Sequence, residues 1–156
     1  MRLEIEAIVL KFLISNHINA GGGEGAEIVY SLRNNDTLAK MALDNIGEKG
    51  QIKRSIYQRV LPENPTKDYY YILRETGNTE PILVEYGFID NKNDIQKLTN
   101  NLEDYVEGVV KAIADYTGYD YTPPENSNYY IVKKGDTLYS IARQYNLTLD
   151  DIKKIN

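Results

Sequence analysis

The chain has 156 residues, a hydrophobic content of 42% and a formal net charge of −5, from 18 Lys and Arg against 23 Asp and Glu. That acidic balance argues against the clustered basic surface needed to bind a phosphate backbone, so no nucleic-acid partner is expected. There is no cysteine, which removes disulfides, thiolate metal knots and cysteine nucleophiles.

No run approaches the ~20 apolar residues of a membrane helix. No export signal is visible either: Glu4, Glu6 and Lys11 interrupt the apolar start, whereas a signal peptide needs a basic start, an unbroken apolar stretch and a small-residue cleavage site. Ile8–Ser15 (IVLKFLIS) reads as a buried strand, although Met1–Lys11 alone also suits a helix. Asn16–Gly25 is a glycine-rich loop, and Ala26–Tyr30 a second short strand. Asn35 or Asp36 caps a helix running to about Glu48, with Leu38, Met41, Ala42 and Ile46 on one face and Gly50 as its stop. Lys53–Lys67 contains two prolines and is expected to be irregular. Tyr69–Arg74 is a strand by composition, and Pro81–Phe88 a buried one. A short helical turn over Asn91–Leu98 and an amphipathic helix over Leu102–Tyr116 follow. Strands alternating with helices predict an α/β domain. Gly118–Asn128, with adjacent prolines, separates it from a different unit at Tyr129–Asn156, read as a strand, a helix from Thr137 capped by Asp136, and a second helix over Leu149–Ile155.

Two residues stand out chemically. His17 is the sole histidine. A lone histidine is usually structural or exposed, but this one follows a buried strand and opens the loop holding Gly21, Gly22 and Gly23, where α/β sheets gather ligands. Glu85 sits inside an apolar strand, on the face shared by Leu83 and Gly87. A carboxylate there is costly unless paired, ligated or catalytic, and a salt-bridged glutamate at the sheet rim fits the pattern equally well. A histidine ligand with a glutamate base would suit metal-assisted hydrolysis.

Phe12–Gly23 (FLISNHINAGGG) and Glu80–Lys92 (EPILVEYGFIDNK), in that order, resemble the second zinc-histidine motif and the catalytic-glutamate motif of the zinc-dependent N-acetylmuramoyl-L-alanine amidases. The stretches GAEIVYSLRNNDTLA and LPENPTKDYYYILRETGN are similar to the subgroup found in Gram-positive bacteria and their phages. The resemblance implies a zinc ion held by His, Glu and His, with His17 as the second histidine and Glu85 as general base for the attacking water. The first histidine and the glutamate ligand of the family lie upstream of its second histidine motif. Residues 1–121 are therefore expected to be an N-terminally truncated catalytic domain with an incomplete sheet, leaving apolar surface exposed beside Ile8–Ser15.

Tyr129–Asn156 (YYIVKKGDTLYSIARQYNLTLDDIKKIN) resembles a LysM module without its second strand. The resemblance implies binding of N-acetylglucosamine-containing glycan, with Gly135, Asp136, Thr137 and Leu138 matching the first binding loop. GDTL also reads as a simple helix cap. Residues 122–128 are the linker. The expected function is cleavage of the amide between N-acetylmuramic acid and L-alanine in peptidoglycan, outside the cell or in the wall. The alternative is an inactive fragment or wall-binding polypeptide, since one of three zinc ligands is visible.

Overall fold

The computed structural model describes residues 11–123, 130, 132–145 and 147–155. The chain divides into two compact units, Met1–Tyr121 and Thr122–Asn156. No helix among the described residues is long and apolar enough to cross a membrane.

The first unit is built on a partial four-stranded sheet. Its strands are β1 (Phe12–Asn19), β2 (Ala26–Tyr30), β3 (Lys53–Tyr57) and β6 (Glu80–Phe88), in spatial order β1-β6-β2-β3. β1 runs parallel to β6, β2 runs antiparallel to β6, and β3 is parallel to β2. The strands alternate: Ile28 of β2 and Ile82, Val84 and Tyr86 of β6 pack on one face against helices α1 (Thr37–Glu48) and α3 (Lys92–Thr117). Leu38, Ala42 and Ile46 of α1 are fully buried there, on the face expected from their spacing, with Met41 partly buried beside them. Among the described residues the opposite face is covered at one end only. There the short helix α2 (Tyr71–Arg74) lays Leu73 on Val29 and Leu83.

Several expectations are corrected. β1 continues through His17 to Asn19, so the histidine lies within a strand rather than at the start of a loop. Lys53–Lys67 is ordered: after β3, the strands β4 (Val60–Leu61) and β5 (Asn64–Asp68) form a two-stranded hairpin. Pro62 sits in its turn, and Pro65 lies in a strand with a single neighbour, where a missing N–H is tolerated. Tyr69–Arg74 is not a strand. The backbone turns at Tyr70 because Leu73 inserts between Val29 and Leu83, and because Arg74 donates to the carbonyls of Asp68 and Tyr69 at 2.7 and 3.0 Å. Tertiary packing here overrides the strand preference of three tyrosines. The two helical segments after Asn91 join into α3, with non-helical backbone at Asn101. Asn91 caps its start and Gly118, at φ 73°, ends it. At α1, Asn35 accepts from the amide of Thr37, while Asp36 pairs instead with Lys40.

Among the described residues β1 pairs with β6 alone. Phe12, Leu13 and Ile14 are only partly buried. On α3, Leu102, Val106 and Val110 are 38–40% exposed.

The second unit contains α4 (Leu138–Gln144) and α5 (Leu149–Ile155), packed through Ile141, Ala142 and Ile152 with Tyr130 against them. Leu138, Leu147 and Leu149 are exposed. Of the expected strand Tyr129–Val132, Tyr129 and Ile131 lie outside the described residues, and Tyr130 and Val132 are not in a strand.

Candidate active site

The sheet brings His17 and Glu85 together. They are register partners across the parallel β1–β6 pair, and Glu85 is in turn the partner of Glu27 across the antiparallel β2–β6 pair. Residues paired in register share a face, so His17, Glu85 and Glu27 form a row over three strands, continued on β3 by Ser55 opposite Glu27. The row lies on the face that α2 leaves open. Because β2 and β3 run against β6, this end of the sheet collects the carboxyl ends of β1 and β6 and the amino ends of β2 and β3.

The three side chains differ in surroundings. His17 is exposed, with its Nε2 2.8 Å from the Ser15 hydroxyl. Glu85 is half-buried, and its Oε2 is enclosed with no hydrogen-bond partner among the described residues. Burial pushes its carboxyl above the ordinary range; the nearby His17 opposes this, and the charge of Glu27 adds to it. Glu27 is almost fully buried but well partnered: Arg54 Nε donates to it at 2.8 Å, the Ser55 hydroxyl at 3.0 Å and Asn19 Nδ2 at 3.0 Å. Tyr57, farther along β3, has its hydroxyl pushed upward by burial first, then by Tyr70 and the two carboxylates.

Two bulges feed this face. Between Ala26 and Glu27 the register jumps from Lys53 to Ser55, which makes Arg54 the extra residue and turns its side chain onto Glu27. Between His17 and Asn19 the register jumps from Glu85 to Phe88, which carries Phe88 to the same face, under the Arg54 guanidinium at 5.2 Å.

The glycine-rich loop serves the protein rather than an open ligand cradle. The amides of Gly21 and Gly22 donate to Asp90 Oδ2 at 2.9 and 2.8 Å, and hold that carboxyl below its ordinary range. Gly23 has no space for a side chain: a Cβ there would lie 2.3 Å from the Phe88 ring. Fully buried Asp94 ties the loop's end to β6 by accepting from the amides of Gly25 and Phe88. Arg74 is occupied by backbone carbonyls and by Glu75.

Sequence reading missed Glu27, Arg54 and Phe88. Glu27 carried a usable signal, since AEIVY places a carboxylate among buried apolar residues just as Pro81–Phe88 does. Arg54 and Phe88 carried none, because a bulge reverses the alternation on which such readings rest.

A catalytic zinc takes three protein ligands. Among the described residues no three His, Asp or Glu side chains are grouped to hold a metal, and His17 is the sole imidazole. The residues described here do not by themselves fit that ion.

In the second unit, Gly135 turns the chain at φ 98°. Thr137 rather than Asp136 caps α4, in a reciprocal capping box with Ser140. Asp136 accepts instead from the Lys133 amide at 2.6 Å and the Tyr130 hydroxyl at 2.9 Å. Leu138 is exposed. A cleft of about 460 Å³ opens between α4 and α5, lined by Tyr139, Ala142, Arg143, Leu147, Thr148 and Leu149. The residues of the GDTL loop do not line it.

The first unit is thus a mixed α/β sheet with α1 and α3 on one face and a histidine–carboxylate row beside α2 on the other. By the match of residues 6–115, the chain belongs to the N-acetylmuramoyl-L-alanine amidase family; residues 130–156 match the LysM domain. No curated protein sequence matches it. Among solved structures, Cwp6 from Clostridium difficile is 34% identical over 67% of this chain and 18% of its own, with a TM-score of 0.60. The catalytic domain of CwlV, an N-acetylmuramoyl-L-alanine amidase from Bacillus (Paenibacillus) polymyxa var. colistinus, is 19% identical over 70% of this chain and 59% of its own, at 0.58. An N-acetylmuramoyl-L-alanine amidase from Clostridium difficile 630 is 23% identical over 71% and 60%, at 0.55. This chain thus spans less than two thirds of each.

Proposed function

We propose that the first unit acts on peptidoglycan at the amide between N-acetylmuramic acid and L-alanine, and that Glu85 handles the protons of that hydrolysis. The row His17–Glu85–Glu27 on the open sheet face carries this reading. A carboxyl enclosed without a partner on Oε2, and held above its ordinary range, is suited to take a proton from an attacking water and return it to the leaving amine of alanine. Glu27, paired with Arg54, stays fixed beside it. His17 offers one nitrogen donor at the mouth of the site, in the role of the family's second zinc-histidine. The described residues do not complete a zinc set. The second unit is proposed to hold the chain on N-acetylglucosamine-containing wall glycan through Gly135–Leu138, which places the work outside the cell or in the wall.

The test is digestion of purified cell walls, read as newly exposed N-terminal alanine. The full chain should release it, and Glu85→Gln should lose most of the release while still sedimenting with walls. A second reading, a wall-binding polypeptide without turnover, is favoured by the single imidazole. It predicts sedimentation with walls and no alanine release by the unaltered chain.

A further inference from the structure

We infer that Arg54 is a specificity-determining residue that binds a carboxylate of the stem peptide beside Glu85. The inference rests on the amidase reading above and extends it from the scissile amide to the acidic part of the substrate.

The geometry of Arg54 is that of a clamped and half-spent cation. Regular alternation in β3 would send Arg54 and Ser55 to opposite faces. The bulge sends both to Glu27, at 2.8 and 3.0 Å. The guanidinium is then fixed from two directions, by the Glu27 carboxylate on Nε and by the Phe88 ring 5.2 Å from Cζ. Such fixing lowers the entropy lost when a further group binds.

The ion pair uses Nε and leaves the Nη edge of the fork without a partner among the described residues, on a side chain 46% exposed. Glu27 draws only on Nε of Arg54, because Ser55 and Asn19 supply two more hydrogen bonds to it. The free edge matches a planar carboxylate in two-point fashion. It stands one side chain away from Glu85, through Glu27. The substrate proposed above carries such a group close to its scissile bond, because the residue after L-alanine in wall peptides is an acidic one joined through its side chain, with its α-carboxyl free or amidated.

The experiment titrates the full chain with N-acetylmuramoyl-L-alanyl-D-glutamic acid whose γ-carboxyl is capped as a methylamide, in place of its amide link in the wall, and with the same ligand amidated at the α-carboxyl, so that the two differ only in that carboxylate. Inorganic phosphate at equal concentration controls for general anion binding. The acid should bind roughly tenfold tighter than the amide, the worth of a charge-assisted pair. Arg54→Gln should bring the ratio near one, and Arg54→Lys should retain part of it. Glu27→Gln with Arg54→Gln removes both charges together, so a collapsed ratio in that folded double variant reports the carboxylate contact and not a stranded Glu27. Equal affinity of the two ligands for the unaltered chain, displacement of both by phosphate alike, or a ratio that survives Arg54→Gln overturns the arginine's role. If neither ligand binds the unaltered chain, both this role and the amidase reading of this face fall.

Discussion

Glu27 and Glu85 stand opposite each other across the β2–β6 pair, two carboxylates side by side on one face in quite different circumstances. Glu27 has a cation and two further donors. Glu85 has burial, and an Oε2 without a partner. Like groups in unlike surroundings are how a site keeps one carboxylate as a fixed charge and another as a proton carrier.

Glu85→Gln should stabilise this chain at neutral pH. The folded state holds the Glu85 carboxyl above its ordinary range, so ionising it costs folding free energy. Stability should fall as pH rises from the ordinary carboxylate range through the raised folded value, and glutamine should abolish that fall. Urea midpoints at about pH 4 and about pH 8 give the check. The two proteins should be close at the lower pH, with the variant ahead at the higher one. A variant less stable at both would show that the carboxylate is a structural partner.

Gly23→Ala should destabilise the first unit by about 1–3 kcal/mol, since the added methyl meets the Phe88 ring and overpacking costs that much. The cause is space, so removing the ring should relieve it. In a Phe88→Ala background the same change should cost at least about 1 kcal/mol less. An equal cost in both backgrounds would place the fault in the loop backbone.

Thr137→Ala should weaken the second unit by about 1 kcal/mol through loss of the bond from the Ser140 amide. With three buried apolar residues in the core of that unit among the described residues, the loss should be visible as faster amide exchange at Ile141 and Ala142. Asp136→Asn should act elsewhere, loosening the turn at Lys133 and Tyr130 rather than the start of α4. Thr137→Ala leaving exchange at Ile141 unchanged would count against the capping box.

The legible parts of this protein were those governed by simple periods. The α1 face and the shared face of Leu83 and Glu85 follow from 3.6- and 2-residue spacing, and the strands at 26–30 and 81–88 from their apolar composition. Phe12–Gly23 and Glu80–Lys92 were legible by resemblance, and the sheet sets His17 and Glu85 of those motifs in register. What escaped was set by distant partners. Tyr71–Arg74 is helical because of Leu73 packing and the Arg74 hydrogen bonds. Arg54 and Phe88 reach the site through bulges that only their neighbouring strands reveal. The glycine loop looked made for a ligand, yet Asp90, Asp94 and Phe88 occupy its amides and its space.

The position of β6 between β1 and β2 has a consequence for synthesis. β1 is made well before β6, its partner among the described residues, which begins at Glu80, and β2 also meets β6 only then. Until Phe88 has left the ribosome, β2 can pair with β3, but among the described residues β1 has no strand to align it, and the row of His17, Glu85 and Glu27 does not exist. Such delayed, long-range pairing is slow. It leaves the branched apolar stretch around Phe12–Ile14 waiting in the meantime, an opening for holdase chaperones and for aggregation when translation stalls in the intervening sequence.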